Sequence, residues 1–226
     1  MIAFALAVST PPHLVAYWSG NGDCKDSVSG RVSTPMGGLA YGEGPFGKAF
    51  YFNGLNSVVY TRDESRFKLT EGLSISCWVK VLRKPEHSSS PQSQIVFRGD
   101  DRPGLDPYRL TVGEDMKWQF GIEDESRDCT LRWPAELNAW THLCGTWDGA
   151  TGTMCLYVNG DLVAREKTDI KPLKELDFNY HPGIAIGNVQ YPFGDYHYQP
   201  LNGLVAEVKI YDGALSKSDF VKPKGW

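Results

Sequence analysis

Between Leu73 and Val81, apolar residues fall on every second position: Leu73, Ile75, Cys77, Val79 and Val81, with Ser74, Ser76, Trp78 and Lys80 between them. A period of two sends one set of side chains to one face of a strand and the other set to the opposite face. Similar short apolar bursts, broken by Gly, Pro, Asn and Asp, recur along the chain. They predict strands near Leu14 to Trp18, Ala49 to Phe52, Ser57 to Thr61, Leu73 to Leu82, Gln94 to Arg98 and Tyr108 to Val112. Further strands are predicted near Lys117 to Ile122, Cys129 to Leu131, Thr141 to Trp147, Met154 to Val158, Gly183 to Ile186 and Gly203 to Tyr211. Within LNAWTHLCGTWDGATGTMCLYVNGDLV (residues 137–163), DGATG joins two strands rich in β-branched and aromatic side chains, and NGD closes the second, so a hairpin is expected. Arg83 to Ser93 and Gly99 to Pro107 are polar and contain Pro, and read as surface loops. Ser216 to Phe220 predicts one helical turn, with Ser216 at the N-cap and Asp219 as its capping partner. The pattern as a whole predicts an all-β chain of two antiparallel sheets packed face to face.

The hairpin motif, W-x-H-hydrophobic-x-G-T-W-D-G followed by L-Y-V-N-G-x-L-V, resembles the central hairpin of the laminin-G-like, concanavalin A-like jelly-roll family. Other segments are similar to that family in the same order. LVAYWSGNGDCKDSVSGR resembles its first strand and Asp-containing loop, and GPFGKAFYFNGLNSVVY its G-x-F-G-x-A-hydrophobic-x-F-D-G segment, with Asn53 where Asp is usual. LTEGLSISCWVKV resembles the next core strand with its Trp78–Val79 pair, and LNGLVAEVKIYDGALSKSDF the closing strand. The resemblance implies a jelly-roll β-sandwich and leaves the function open, because one fold hosts many.

Composition fits this picture. A chain of 226 residues, 41% hydrophobic and 12% aromatic, can bury a substantial core, and its 24 Gly and 14 Pro suit many strands and turns. The expectation is one domain over residues 1–226, either whole or a piece of a larger protein, with VKPKGW at a domain boundary. With 23 basic and 27 acidic residues intermingled and a net charge of −4, no basic patch is present to bind a phosphate backbone, so nucleic acid is not an expected partner. The apolar run Ile2 to Val8 is far shorter than the ~20 residues of a membrane-spanning helix, so membrane insertion is not expected either. That run reads either as the remnant of a signal-peptide core, which would place the protein outside the cell or at its surface, or as a plain strand or disordered start. The five cysteines, at 24, 77, 129, 144 and 155, show no metal-binding spacing. Cys144 and Cys155, on the two arms of the hairpin, could be bridged, but Cys77, Cys144 and Cys155 are read as small buried hydrophobes.

Catalytic motifs are absent. Laminarinase-like enzymes on this jelly roll carry two glutamates flanking an aspartate on one strand, whereas GIEDESRD offers Glu123, Asp124 and Glu125 without the E-x-D-x-x-E arrangement. No G-x-S-x-G elbow and no H-E-x-x-H spacing occurs. His142, beside Trp140, is read as a structural hydrogen-bonding residue. The resemblance implies one structural calcium, for which hard oxygen ligands are needed. Carried over by position, its ligands are Asp26 in KDSVSG and Glu207 in VAEVKIY, with Asn53 offering a neutral oxygen. The same residues also fit a plainer role, Asp26 and Asn53 shaping Asx turns and Glu207 serving as a surface carboxylate or ion-pair partner.

A sugar site would combine aromatic faces with carboxylates, amides or guanidinium groups. FRGDDRPGLDPYRLTV supplies Arg98, Asp100, Asp101, Asp106, Tyr108 and Arg109, and NVQYPFGDYHYQP supplies Tyr191, Phe193, Asp195, Tyr196, His197 and Tyr198. Trp118 and Trp133 extend the platform, while Trp18, Trp78, Trp140 and Trp147 are assigned to packing. The expected function is therefore a non-catalytic carbohydrate-binding, lectin-like module for a glycan or polysaccharide. The alternatives are a protein-recognition or assembly module of the laminin-G type, and a glycoside hydrolase or polysaccharide lyase.

Overall fold

Alternation decides the architecture, because a strand with one apolar face must cover that face against another layer. The computed structural model describes residues 11–86, 91–100, 105–189 and 199–219. In chain order the strands are β1 (Leu14–Trp18), β2 (Thr34–Met36), β3 (Ala40–Gly44), β4 (Gly47–Asn53), β5 (Val58–Arg62), β6 (Gly72–Val81), β7 (Gln92–Gly99) and β8 (Tyr108–Gly113). They continue as β9 (Lys117–Glu123), β10 (Asp128–Pro134), β11 (Thr141–Asp148), β12 (Thr153–Val158), β13 (Asp161–Lys167), β14 (Gly183–Ile186) and β15 (Asn202–Tyr211). An eight-stranded sheet runs β13-β12-β11-β6-β15-β4-β3, with β1 also paired to β15, and a seven-stranded sheet runs β10-β9-β8-β7-β14-β5-β2. All of these pairings are antiparallel.

The layer between the sheets is built by the alternating rows. Leu73, Ile75, Cys77, Val79 and Val81 of β6 are all buried in one cluster with Leu110 and Val112 of β8 and Trp118, Phe120 and Ile122 of β9. Trp18 and Trp147 lie in the same cluster, whereas Trp78 belongs to a smaller one on the other side of β6, where the ring of Phe46 meets it edge-on at 5.7 Å. The sheets approach closely at Gly145 of β11. A Cβ there would lie 2.2 Å from Cδ2 of Phe120 on β9, so only a hydrogen leaves room for the ring.

Three strands were invisible to the hydrophobic pattern: β2, β3 and β13. All three are edges of their sheets. An edge strand needs little apolar content, and AYGEG and DLVAREK show it, with most of their residues exposed or half-buried. The hairpin and the alternating strands lie where the sequence places them. All five cysteines are free thiols, and Cys77, Cys144 and Cys155 are buried. In the β11–β12 register Cys144 faces Tyr157 and Cys155 faces Thr146, so the two thiols are diagonal rather than opposite. The tail forms a 3-10 turn, Lys217–Asp219, in which the Ser216 amide and hydroxyl both donate to Asp219 Oδ2, at 2.6 and 2.7 Å. Phe220, the predicted end of that turn, lies outside the described residues.

One long strand joins both ends of the fold. The first half of β15 pairs with β4 and the second half with β1, and between them the register shifts at a bulge. Glu207 occupies the bulge with φ of 55°. Such a bulge re-aims a side chain, and here the carboxylate turns toward β1 and accepts hydrogen bonds from the Tyr17 hydroxyl at 2.8 and 2.9 Å.

Gly145→Ala should destabilise the protein by about 2 kcal/mol through overpacking against Phe120, and adding Phe120→Leu should recover part of the loss. Urea unfolding of the two variants checks this, and no loss in the single variant would show that the sheets are not held at this spacing.

Candidate functional site

Where β8 and β9 send Leu110, Val112, Trp118, Phe120 and Ile122 into the core, the residues between them must face outward. That outer face of the seven-stranded sheet is polar but not open. Gln94 of β7 and Thr111 of β8 are fully buried, and Arg109 of β8 and Gln119 of β9 are nearly so. Gln94 and Thr111 are paired across β7–β8, and Thr111 and Gln119 across β8–β9, so amide, hydroxyl and amide line up across three strands. The Thr111 hydroxyl donates to Gln119 Oε1 at 3.2 Å and lies 3.4 Å from Gln92 Oε1. Residue 199 runs alongside: its carbonyl accepts from the Gln94 amide at 2.9 Å, and its side-chain oxygen accepts from Gln92 Nε2 at 3.2 Å.

The neighbouring row is Arg109, Gly121 and Thr130, adjacent on β8, β9 and β10. The guanidinium lies across the missing side chain of Gly121, where a Cβ would stand 2.9 Å from Arg109 Cζ and 2.9 Å from Thr130 Oγ1. Arg109 Nη1 donates to Glu123 Oε2 at 3.1 Å and to the Asp106 carbonyl at 3.4 Å; Nη2 donates to Asp128 Oδ2 at 3.2 Å and to Thr130 Oγ1 at 3.3 Å. Burial drives the Glu123 carboxyl up to about 7, opposed by the Arg109 charge and reinforced by Asp106 and Asp128. Two buried polar atoms of this face have no hydrogen-bond partner among the described residues, Gln94 Oε1 and Arg109 Nε. Both residues touch Asp106, since Gln94 Nε2 donates to its Oδ2 at 3.0 Å. Unsatisfied buried groups of this kind are costly.

Of the ligand residues expected from sequence, Arg109 and Asp106 lie on this face. Three others need correction. Tyr108 and Trp118 alternate into the inter-sheet core, fully and almost fully buried, and Tyr108 donates its hydroxyl to the Phe67 carbonyl at 2.8 Å; neither ring can stack on a sugar. Arg98 has no exposed surface: it holds Asp63 with two bonds of 2.8 Å and caps the carbonyls of Leu173 and Lys174. It serves as a structural clamp. Asp100 is buried, and Trp133 is exposed on the edge strand β10. Asp101, Tyr191, Phe193, Asp195, Tyr196, His197 and Tyr198 lie outside the described residues. Glu123 and Glu125 do not share a strand, because β9 ends at Glu123 and Asp124 closes the turn that follows, accepting from the amides of Ser126 and Arg127. His142 is half-buried, within 2.9 Å of Ser76 Oγ, and desolvation lowers it to about 4, so it is neutral at pH 7. The residues that sequence reasoning passed over are Gln92, Gln94, Thr111, Gln119 and Thr130. Their signal was the polar half of the alternation in β7 to β10.

A laminin-G-type family model, described as the concanavalin A-like lectin/glucanases superfamily, matches residues 52–219. The chain belongs to this superfamily. Among solved structures it is similar to domain 4 of AbnA, an extracellular arabinanase of Geobacillus stearothermophilus, in complex with arabinotriose: 22% identity, 92% of this chain and 96% of that one covered, TM-score 0.65. The botulinum neurotoxin serotype D binding domain matches at 15% identity over 91% of this chain and 50% of that one, TM-score 0.65. A sialidase of Trypanosoma rangeli matches at 15% identity over 90% of this chain and 31% of that one, TM-score 0.59. These likenesses show the fold. A curated relative, pentraxin-related protein PTX3 of Bos taurus, is 64% identical over 28 residues, which span 12% of this chain and 7% of that protein.

Within this superfamily member, the three residues expected around calcium are arranged for other work. Asp26 is almost fully buried, and its carboxylate already accepts from the Tyr17 and Val28 amides at 2.9 and 3.0 Å and from Ser29 Oγ and Arg66 Nη1 at 2.5 Å each. Burial pushes this carboxyl up, but the bonds from Ser29, Tyr17, Arg66 and Val28 outweigh it and leave the group below its ordinary value. Glu207 is engaged by Tyr17 and by Lys209 Nζ at 3.2 Å. Asn53 faces Asn202 at the far end of β15, roughly 17 Å along the strand from the bulge, and its Oδ1 accepts from the amides of Leu55 and Asn56. It borders a cleft also lined by Arg83 and Lys84. This set of three does not fit a calcium ion: Asn53 lies away from the other two, and Arg66 and Lys209 already pair with Asp26 and Glu207. Among the described residues no group of three or more His, Cys, Asp or Glu is placed to hold a metal, and no helix is long and apolar enough to cross a membrane.

Two outcomes follow from this geometry. Millimolar calcium and excess EGTA should give the same melting temperature, whereas Arg66→Met should cost about 3 kcal/mol by stranding the buried Asp26 carboxylate; a calcium-dependent rise in melting temperature of the wild type would contradict the first. Glu123, raised from 4.5 to about 7, binds its proton more tightly folded than unfolded, so its contribution to stability is full below pH 4.5 and is lost as pH rises through 7. Glu123→Gln should flatten that fall, as read from urea midpoints at pH 5 and pH 8.

Proposed function

We propose that this protein is a non-catalytic carbohydrate-binding module whose sugar site is the polar outer face of β7 to β10. One observation carries the reading: the buried row of Gln94, Thr111 and Gln119 beside Arg109, with an acceptor at Gln94 Oε1 and a donor at Arg109 Nε left unpaired among the described residues. Sugar hydroxyls both donate and accept, and a row of amides and a hydroxyl beside a guanidinium on rigid strands is complementary to them. Membership of a lectin and glucanase superfamily supports this reading, as does the fold likeness to a domain seen with arabinotriose. Binding without hydrolysis is supported by the carboxylates themselves. Glu123 and Asp128 are tied to one guanidinium, and Glu125 sits in a turn rather than on the strand that would face a scissile bond. As a module displaying a glycan site, the protein would act outside the cell or at its surface.

Gln94→Ala should weaken glycan binding by about five-fold, the worth of roughly 1 kcal/mol for one neutral hydrogen bond, while Lys80→Ala on the opposite sheet leaves it unchanged. A glycan array identifies the ligand and isothermal titration measures the change; wild-type silence on the array, or an unaltered affinity in the Gln94 variant, would remove the support for this site.

A further inference from the structure

We infer that a cleft at the rim of the sandwich, apart from the outer face of β7 to β10, holds an acidic sugar by its carboxylate or sulfate group. The inference does not depend on the site proposed above. The cleft lies where the start of β15 meets the turn after β4 and the chain leaving β6, and it encloses about 380 Å³. That is within the ~300–1,000 Å³ usual for small-molecule sites. Backbone bonds stitch its floor together. The Asn202 carbonyl accepts the amides of Leu82 at 2.9 Å and Arg83 at 3.4 Å, and the Leu201 carbonyl accepts the Gly54 amide at 3.0 Å. Gly54, with φ of 73°, comes so near that a Cβ on it would stand 2.7 Å from Asn202 Nδ2. Arg83 is thus held at the cleft by its own amide.

The charged residues lining the cleft are Arg83, Lys84 and Glu86, all exposed. Elsewhere Arg66, Arg98, Arg109 and Lys209 are spent on carboxylates. Among the described residues the side chains of Arg83 and Lys84 have neither a hydrogen bond nor an ion pair. Two cations against one carboxylate leave the cleft net positive, and a free guanidinium offers the parallel N–H groups that a carboxylate or sulfate takes. Asn53 adds no charge, its amide being committed to the turn through the Gly37 carbonyl at 3.0 Å and Asn56 Oδ1 at 3.1 Å. The uncharged part of a sugar has counterparts as well. Asn202 is half-buried and spends one N–H on the Asn53 carbonyl at 3.3 Å, which leaves its side-chain oxygen without a partner among the described residues and able to accept from a hydroxyl. Leu55, 70% exposed, is an apolar wall that folding leaves in water and that suits the C–H face of a sugar ring. A bare inorganic anion would use the two cations and neither of these.

Calorimetric titration tests this with oligogalacturonate, galactose 6-sulfate, galactose and inorganic sulfate, added to the wild type and to the Arg83→Gln/Lys84→Gln and Glu86→Gln variants. Lys25→Gln, at an exposed lysine in the loop before β2, is the control for loss of charge alone. The substituted residues are all exposed, so the variants should melt with the wild type. At least one acidic sugar should bind the wild type about ten-fold tighter than galactose or sulfate, and the double variant should lose that advantage, as expected when charge-assisted hydrogen bonds are removed. Glu86→Gln should tighten binding and Lys25→Gln leave it unchanged; which acidic sugar responds tells carboxylate from sulfate. No binding of either acidic sugar, affinity unaltered in the double variant or weakened equally by Lys25→Gln, or inorganic sulfate bound as tightly as the sugars would each overturn the inference. Acidic sugars bound here while every neutral glycan on the array stays silent would remove the outer-face reading and leave this one standing.

Discussion

The arrangement of this protein follows from one constraint, the strict two-residue alternation of a strand whose inner face is committed to a core. Once Leu110, Val112, Trp118, Phe120 and Ile122 are buried between the sheets, the side chains at the intervening positions have no choice of direction. Arg109, Thr111, Gln119 and Glu123 are therefore set side by side by the same packing that stabilises the sandwich. Nothing local to those polar residues needs to fix their orientation. A rigid, already satisfied apolar layer holds a partly unsatisfied polar one, which is the division of labour expected where a fold carries a site.

The second theme is how positive charge is supplied. At the closure of the chain, where β1, β15 and the loop at Asp26 meet, the carboxylates of Asp26 and Glu207 are paired with Arg66 and Lys209. The bulge at Glu207 and the Asp26 turn are linked through one residue, Tyr17, whose amide binds the first carboxylate and whose hydroxyl binds the second. The same economy recurs at Arg98, buried against Asp63, and at Arg109. Arginine suits all three positions because its planar fork can bind several oxygens at once in a site that excludes water.

Much of the fold was legible in the sequence because alternation is a local signal. The core strands and the 137–163 hairpin could be read residue by residue, and the family from the order of its motifs. The edge strands were not, since β2, β3 and β13 need no apolar row to stay paired. For the site, the residue types were a poorer guide than their parity. Tyr108 and Trp118 look like sugar platforms, but they sit on the inward parity of β8 and β9; Arg109 and Gln119, one position along, sit outward. Arg98 looked like a ligand group and is a clamp, because its position on β7 pairs with Tyr108 and shares its inward face. What no local pattern could supply is the meeting of Asp63 with Arg98 or of Arg66 with Asp26, which depends on how distant segments cross.

Gly121 gives the outer face a feature that no inventory of functional groups would find. It contributes no chemistry of its own, yet the position of Arg109 depends on the atom it lacks. A side chain introduced there would press the guanidinium away from its two carboxylate partners, Glu123 and Asp128, with neither of them altered. Position 121 is a silent dial: filling it would rearrange the outer face while every polar residue on that face stayed the same.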